Sequence, residues 1–344
     1  DATVTANSNH SAVYNGKDQS VTGFTATGLV NGETESVLTN VTASGTGKNA
    51  GSYNSKATGS DNNYNLTFVD GSLDIAKANA IVTANSNHSA VYNGKNQTVT
   101  GFTATGLVNG ETESVLTNVI ASGTGKNAGS YNSKATGSDN NYNLTFVDGS
   151  LDIAKANATV TANSNHSAVY NGKDQTVTGF TATGLVNGET ESVLTNVTAS
   201  GIGKNAGSYS SKATGSDANY NLTFVDGSLD IAKANATVTA NSNHSAVYNG
   251  KDQSVTGFTA TGLVNGETEA VLSGVTASGT GKNAGSYNSK ATGSDNNYNL
   301  TFVDGSLDIA KADATVTANS NHSAVYNGKD QSVTGFTATG LVNG

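Results

Sequence analysis

The sequence predicts a mostly-β protein: a tandem array of small β domains that together form an elongated rod. Three observations predict this fold class. One peptide recurs at a fixed period, apolar residues alternate with polar ones over short stretches, and Asn-Gly pairs punctuate those stretches. Each domain is expected to be either β-grasp-like or a β-sandwich, and one short helix per domain is left open.

The repeat has a period of 78 residues. The peptide TANSNHSAVYNGK occurs five times, with its tyrosine at Tyr14, Tyr92, Tyr170, Tyr248 and Tyr326. Four full repeats are therefore predicted at 1–78, 79–156, 157–234 and 235–312, followed by a partial fifth repeat at 313–344. The incomplete last copy and the lack of methionine indicate a segment of a longer array. Since a side chain of one copy recurs in nearly all the others, a single active site is hard to accommodate, and no enzyme is expected.

The first part of each repeat is predicted to form strands joined by tight turns. Ala2–Ala6 alternates in character and gives the first strand, and Ser11–Tyr14 gives the second. Asn15-Gly16 is expected to turn the chain, because glycine accepts positive φ. Gln19–Thr27 is rich in Thr, Val and Phe and predicts a longer strand, in which Gly23 marks a bulge.

The middle of the repeat contains the only candidate helix. After a turn at Asn31-Gly32, Glu33–Leu38 starts with glutamates that complement a helix dipole, although the segment fits the start of a strand equally well. Val37–Ser44 is expected to be extended, Gly45–Gly51 to be a glycine-rich loop, and Ser52–Thr58 to be a strand.

The last part of the repeat shows the clearest alternation. Apolar side chains occupy every second position from Tyr64 to Phe68, and again at Leu73 and Ile75. With a turn at 69–72, this pattern predicts a β-hairpin with one buried face.

The joins between repeats are predicted to be short and stiff. From Leu73 to Val82 the chain contains no proline, glycine or flexible tether, so the last strand of one unit runs nearly straight into the next. Lys77 is expected at the end of the core with its ammonium group in water. Compact units placed end to end predict a rod of roughly 150 Å or more.

The composition excludes several classes of partner and cofactor. The net charge is −9, and all 17 basic residues are lysine. Without a basic patch or arginine, neither nucleic acid nor an anionic membrane surface is an expected partner. The absence of cysteine excludes disulfides and thiolate metal sites, and no cofactor is predicted. No apolar run is long enough to insert into a membrane.

Two sets of residues suggest a site, each with a simpler reading beside it. Asp61, Asp70 and Asp74 offer oxygen ligands for calcium, but the spacing matches no known calcium loop, and Asp70 is more simply a turn residue. His10 forms a conceivable Ser-His-Asp triad with Asp18, but no nucleophile motif accompanies it, and a solvated histidine is the favoured interpretation. No catalytic residue is predicted.

Five short peptides occur in the same order in each full repeat: YNG at 14–16, TGLVNGE at 27–33, KNAGSY at 48–53, NYNL at 63–66 and DGSLDI at 70–75. Together they resemble the MBG and YDG repeat domains of filamentous-haemagglutinin-like bacterial adhesins. That family usually has aspartate at the positions of Asn15 and Glu33. The resemblance implies large exported surface proteins that work in adhesion, aggregation or biofilm cohesion, with no catalytic residues and no settled ligand.

Two functions are therefore expected as alternatives, both extracellular or at the bacterial cell surface. The first is a structural stalk or spacer of a secreted adhesin. The second is a multivalent array whose repeats bind polysaccharide or other copies of the chain and form extracellular fibres. Tyr53 and Tyr64 are candidates for stacking on a sugar, although core packing explains them equally well.

Overall fold

The computed structural model describes residues 1–342 and consists of strands joined by turns. Repeat 1 contains β1 (Ala2–Ala6), β2 (Asn9–Val13), β3 (Gln19–Thr22), β4 (Phe24–Thr27), β5 (Val41–Gly47), β6 (Gly51–Gly59), β7 (Leu66–Val69) and β8 (Gly71–Ala76). Its one helical element is a three-residue 3-10 turn at Glu35–Val37.

The other repeats follow the same order of elements. Repeat 2 contains β9 (Ala78–Ala84), β10 (Asn87–Val91), β11 (Gln97–Thr100), β12 (Phe102–Thr105), β13 (Val119–Gly125), β14 (Gly129–Gly137), β15 (Tyr142–Val147) and β16 (Gly149–Ala154). Repeat 3 contains β17 (Ala156–Ala162), β18 (Asn165–Val169), β19 (Gln175–Thr178), β20 (Phe180–Thr183), β21 (Val197–Gly203), β22 (Gly207–Gly215), β23 (Tyr220–Val225) and β24 (Gly227–Ala232). Repeat 4 contains β25 (Ala234–Ala240), β26 (Asn243–Val247), β27 (Gln253–Thr256), β28 (Phe258–Thr261), β29 (Val275–Gly281), β30 (Gly285–Gly293), β31 (Tyr298–Val303) and β32 (Gly305–Ala310). The 3-10 turns lie at Glu113–Val115, Glu191–Val193 and Glu269–Val271, and the partial repeat contains β33 (Thr315–Ala318) and β34 (Phe336–Thr339).

Each full repeat forms two sheets. In repeat 1, a three-stranded sheet has the order β4-β1-β7, and a five-stranded sheet has the order β2-β8-β6-β5-β3. Apolar side chains of both sheets meet in one core, where Val4 of the smaller sheet packs with Val41 and Ala57 of the larger sheet. Each full repeat is therefore a β-sandwich and not β-grasp-like, the other fold that the sequence left open.

Three pairs of consecutive strands pass from one sheet to the other with almost no connection. Only Asn7 and Ser8 separate β1 from β2, only Gly23 separates β3 from β4, and only Asp70 separates β7 from β8. Gly23 has φ 82°, a conformation that glycine adopts without strain. The segment Gln19–Thr27, predicted as one strand with a bulge, is therefore two strands in different sheets.

The predicted hairpin at the end of the repeat is wrong. β7 pairs in parallel with β1, whereas β8 pairs with β6 and β2. A single residue, Asp70, is too short to turn the chain back on itself, so the chain continues forward into the second sheet. The inward side chains shift from even positions (Leu66) to odd positions (Leu73) at this point, because the two sheets face the core from opposite sides.

Two further predictions from the middle of the repeat need correction. Glu33–Leu38 forms the 3-10 turn at Glu35–Val37 instead of an α-helix. Most of the predicted loop Gly45–Gly51 is strand, because β5 extends to Gly47 and β6 begins at Gly51. Tyr53 explains the glycine at position 47, since a Cβ there would lie 2.3 Å from its ring.

Apolar packing continues through the predicted limit between repeats 1 and 2. One cluster of buried residues contains Leu73 and Ile75 from one side and Ala80 and Val82 from the other. The limit after Ala78 falls one residue inside β9, and the domain limits stay a prediction.

The chain divides into two compact units. The first unit contains residues 1–158, 184–195 and 216–222, and the second contains residues 159–183, 196–215 and those from 223 onward. Repeats 1 and 2 lie in the first unit, repeat 4 lies in the second, and repeat 3 contributes to both.

Candidate functional site

The most elaborate arrangement of polar side chains lies where one repeat meets the next. The turn after β2 contacts the loop that precedes the 3-10 turn of the following repeat and the start of that repeat's seventh strand. We call this set of contacts the junction. It is described first for repeats 1 and 2, which belong to one compact unit.

Two tyrosines share one carboxylate at the centre of the junction. Tyr14 of repeat 1 donates a hydrogen bond to Glu111 Oε1 at 2.6 Å, and Tyr142 of repeat 2 donates to Glu111 Oε2 at 2.5 Å. The two rings meet edge to face, with centroids 5.4 Å apart and planes at 84°. Both tyrosines are at most 5% exposed. Charge-assisted hydrogen bonds and an aromatic pair thus fix the same contact.

The loop of repeat 2 approaches the turn of repeat 1 closely. Asn109 Nδ2 donates to Gly16 O at 3.2 Å. Gly16 has φ 72°, and a Cβ at this position would lie 2.7 Å from Asn109 Cβ. Asn109 itself has φ 54°, in the left-handed region that asparagine tolerates better than most residues. The predicted Asn-Gly turns are therefore present, and the turn of repeat 1 packs directly against the turn of repeat 2.

A second set of hydrogen bonds holds the loop between β5 and β6. Asn141 of repeat 2 accepts a hydrogen bond from Ala50 N at 3.0 Å and donates to Asn49 Oδ1 at 3.3 Å. Lys77 Nζ donates to Asp139 O at 2.6 Å, so this exposed side chain also contacts the next repeat.

The same junction occurs between the later repeats. The shared carboxylates and their tyrosines are Glu189 with Tyr92 and Tyr220, and Glu267 with Tyr170 and Tyr298. Both tyrosine pairs repeat the edge-to-face geometry at 5.4 Å and 84°. The turns that pack against each other contain Gly94 and Asn187, and Gly172 and Asn265.

Repeat 1 has the same loop, and within residues 1–342 no other repeat packs against it. Tyr64 still donates to Glu33 Oε2 at 2.5 Å, so half of the arrangement forms within a single repeat. Val30 is 63% exposed there, whereas its counterpart Val108 at the junction is half-buried. Tyr64 is likewise half-buried, whereas Tyr142 is only 2% exposed. The glutamate and tyrosine of this loop therefore already form a surface within one repeat, and the tyrosine of another repeat packs on that surface at the junction.

The junction suppresses ionisation of its phenols. Burial raises the pKa of Tyr142 to about 12, and the hydrogen bond to Glu111 acts in the same direction. Burial likewise raises the pKa of Tyr14, again with help from Glu111. In Tyr64, the hydrogen bond to Glu33 is the largest cause of the raised pKa, because this phenol is less buried.

A second polar cluster surrounds the histidine of each repeat. His10 Nδ1 contacts Asp74 Oδ2, and Ser52 Oγ donates to Asp74 Oδ1. Ser72 Oγ lies 3.4 Å from the same nitrogen, His10 Nδ1. A catalytic triad needs the acid on one ring nitrogen and the nucleophile on the other, so this geometry does not form one. The histidine pairs with Asp74 instead of Asp18, the partner considered from the sequence.

The three calcium candidates make separate contacts. Asp74 contacts His10, and Asp61 Oδ1 accepts a hydrogen bond from Asn63 N at 2.7 Å. Asp70 is exposed between β7 and β8. Within residues 1–342, no group of three or more His, Cys, Asp or Glu side chains is placed to hold a metal ion. A calcium site stays a prediction from the sequence.

A shallow polar groove crosses the outer face of the five-stranded sheet in repeat 2. Hydroxyl, amide and amine groups line it; the lining residues are Ser122, Gly123, Thr124, Ser130, Tyr131 (the counterpart of Tyr53), Asn132 and Lys134. Tyr131 Oη donates to Asn127 O at 3.0 Å, and its ring lies against Gly125. Packing on glycine therefore accounts for this tyrosine.

Sequence reasoning missed the junction partners, although it noted a short join. Tyr14 and Glu111 are 97 residues apart, and nothing in the pattern of one repeat shows that they meet. The available signal was the recurrence of a tyrosine after β2, a Val-Asn-Gly-Glu turn and a tyrosine at β7 in each full repeat.

Comparison with protein families gives four tandem matches to one domain. The sequence profile of the MBG domain (YGX type) matches residues 2–74, 80–152, 158–230 and 236–308. These stretches include the two tyrosines, the Asn-Gly turns and the glutamate that build the junction. No curated protein matches the chain.

Several solved structures are similar at low identity. One is described as a tetra-tandem repeat in the extending region of a large adhesion protein; it is 14% identical and covers 89% of this chain and 99% of its own, with a TM-score of 0.35. Sidekick-1 immunoglobulin domains 1–5 are 14% identical, covering 89% and 79%, with a TM-score of 0.24. The Bacillus anthracis TIE protein is 10% identical, covering 90% and 68%, with a TM-score of 0.23. No helix within residues 1–342 is long and apolar enough to cross a membrane.

Proposed function

The chain belongs to the MBG domain (YGX type) family, and on that premise we propose that its repeats form a structural stalk, or spacer, in a secreted bacterial surface adhesin. The stalk supports adhesion, aggregation or biofilm cohesion from the extracellular side of the cell surface. It has no enzymatic role and needs no cofactor.

The junction is the observation that carries this proposal. A spacer must hold its neighbouring units in one orientation, and Tyr14, Glu111 and Tyr142 provide a directional contact for that purpose. Hydrogen bonds through Asn109 and Asn141 join the same two repeats beside the aromatic pair. Contacts of this kind resist bending in a way that a flexible tether does not.

Small-angle scattering of the chain tests the spacer directly. We expect a maximum dimension of roughly 150 Å, as for small domains placed end to end. We also expect Glu111→Gln, Glu189→Gln and Glu267→Gln together to shorten the mean end-to-end distance, because each junction then loses its charged acceptor. A compact particle in the unaltered chain would refute the spacer.

A second candidate function is multivalent binding of polysaccharide or of other copies of the chain. The groove around Ser122, Thr124 and Lys134 presents hydrogen-bonding groups suited to sugar hydroxyls. The edge strands β2 and β3 of the five-stranded sheet offer unpaired backbone groups for self-association.

Retention on immobilised polysaccharides separates the two candidates. Multivalent binding predicts that the four-repeat chain is retained far more strongly than a single repeat, because the affinities combine. Asn132→Ala with Lys134→Ala in repeat 2, and the same changes in the other repeats, should then weaken retention. The spacer predicts no retention at any repeat number.

A further inference from the structure

Two long segments of each repeat lie side by side through both sheets. The first arm is residues 2–13, which form β1 and β2, and the last arm is residues 66–76, which form β7 and β8. β1 pairs in parallel with β7, and β2 pairs in parallel with β8. The arms therefore stay together while they pass from the three-stranded sheet to the five-stranded sheet.

Hydrogen bonds close the pairing at both ends. At the start of the first arm, Ala2 N donates to Asn65 O at 2.9 Å. At the far end, Tyr14 N donates to Ala76 O at 2.8 Å. The contact between the arms thus extends beyond the strands themselves in both directions.

The crossing between the sheets is also bridged. Ser72 N donates to Ser8 Oγ at 3.0 Å, where the backbone ladder is interrupted. Gly71 allows the arms to touch, because a Cβ there would lie 2.4 Å from the carbonyl oxygens of Ala6 and Asn7. His10 and Asp74 add a side-chain contact between the arms further along the ladder.

We propose that the paired arms are a force-bearing clamp, so that each repeat resists being pulled open along the chain. The chain enters a repeat at the start of the first arm and leaves it at the end of the last arm. Because the arms are parallel, these two points lie at opposite ends of the pairing. Tension therefore loads the hydrogen bonds between the arms together in shear, instead of opening them one after another.

The clamp recurs within each compact unit. In repeat 2, the first strand β9 pairs in parallel with β15, and β10 pairs in parallel with β16. In repeat 4, β25 pairs in parallel with β31, and β26 pairs in parallel with β32. The inference rests on the proposed stalk function, because a stalk transmits the tension between a cell and the surface to which it adheres.

Single-molecule pulling in two directions tests the clamp. The chain has no cysteine, so pairs of introduced cysteines define the pulling points. Asn235→Cys with Lys311→Cys loads the arms of repeat 4 from opposite ends, and Lys251→Cys with Lys311→Cys loads them from the same end. All three positions are exposed. We expect the opposite-end pair to unfold at a force about twofold higher or more, because several hydrogen bonds then break together. Equal forces in the two directions overturn the clamp.

A matched pair of substitutions tests which bonds carry the load. Ser8→Ala, with Ser86→Ala, Ser164→Ala and Ser242→Ala, removes a bond between the arms. The control, Asn7→Ala with Asn85→Ala, Asn163→Ala and Asn241→Ala, removes a bond from the first arm to the Thr22 carbonyl or its counterpart, outside the pairing.

At fixed end-to-end force, we expect the serine variant to unfold roughly fivefold faster per repeat, the factor that a hydrogen bond of about 1 kcal/mol represents. The asparagine variant should unfold at close to the unaltered rate. An equal or larger effect of the asparagine variant contradicts the clamp. The unfolding rates do not depend on the stiffness of the array. Failure of the clamp can therefore be told apart from failure of the spacer, which scattering tests.

Discussion

At the scale of single residues, the protein uses a few polar side chains that each satisfy two partners. Glu111 accepts from one tyrosine on each carboxylate oxygen, and Asp74 accepts from Ser52 while it contacts His10. Carboxylates with several donors hold their geometry better than exposed ion pairs do. A change of pH that ionises or protonates the groups in these contacts should therefore change the stability of the array.

High pH should loosen the junctions. An unfolded tyrosine has a pKa of about 10, whereas burial raises the pKa of Tyr142 to about 12. Since the folded pKa is the higher one, the stabilisation is fully present below pH ~10 and is lost as pH rises toward about 12. Absorbance of phenolate during an alkaline titration checks this. Complete ionisation of all tyrosines near pH ~10 would contradict it.

Acid should weaken the histidine cluster. The hydrogen bond from Ser52 and then the contact with His10 lower the pKa of Asp74 below its usual value. Its stabilisation is therefore present above pH ~4 and is lost as pH falls through the folded value. Asp74→Asn should lower the melting temperature at pH 7 but not in strong acid. Asp70→Asn, at an exposed position nearby, serves as the control, and equal losses for the two variants would refute this role.

At the scale of the strands, the repeat depends on glycines where two backbones touch. Gly71 lies where the last arm passes the first, and Gly16 lies where one repeat meets the next. The first contact holds a repeat together, and the second joins two repeats. Substitutions at the two positions should therefore have different consequences.

Gly71→Ala should destabilise the repeat that carries it by roughly 1–3 kcal/mol, the usual cost of overpacking. The added Cβ would lie 2.4 Å from two backbone oxygens, which cannot move aside without separating the arms. Denaturant unfolding of the array measures the loss. Asp70→Ala, one residue earlier and exposed, should have little effect; a comparable loss there would argue against the steric explanation.

Gly16→Ala should weaken the junction between repeats 1 and 2. Its Cβ would lie 2.7 Å from Asn109 Cβ. Gly32→Ala is a matched control, because Gly32 has φ 73° against 72° for Gly16 but has nothing within 4 Å of its Cβ position. Backbone strain is therefore equal, and only Gly16→Ala should increase amide hydrogen exchange in the facing loop around Asn109. The same increase in both variants would assign the effect to strain.

The strand segments could be predicted from the sequence, but their pairing could not. Ala2–Ala6 is a strand with the predicted bounds, because alternation and β-branched residues act locally. The hairpin from Tyr64 to Ile75 was wrong because alternation gives the buried face of a strand but not the sheet to which it belongs. A hairpin with a four-residue turn at 69–72 would show the same change from even to odd inward positions, so the pattern could not exclude it.

At the scale of the whole molecule, the 78-residue repeat has a consequence that one repeat does not show. Glu33 and Tyr64 form half of the junction within repeat 1, and Tyr14 provides the other half for the repeat that follows. Each full repeat therefore carries both complementary surfaces, so any number of copies can be joined with the same contact.

Distance measurement between spin labels on adjacent repeats tests the central claim that the junction fixes neighbouring repeats in one orientation. Lys56→Cys and Lys134→Cys place labels at equivalent exposed positions of repeats 1 and 2. We predict one narrow distance distribution, which broadens with Glu111→Gln. The control Glu113→Gln should leave it narrow, because that carboxylate accepts from Ala104 N within its own repeat at 3.0 Å. A broad distribution in the otherwise unaltered chain would contradict the claim.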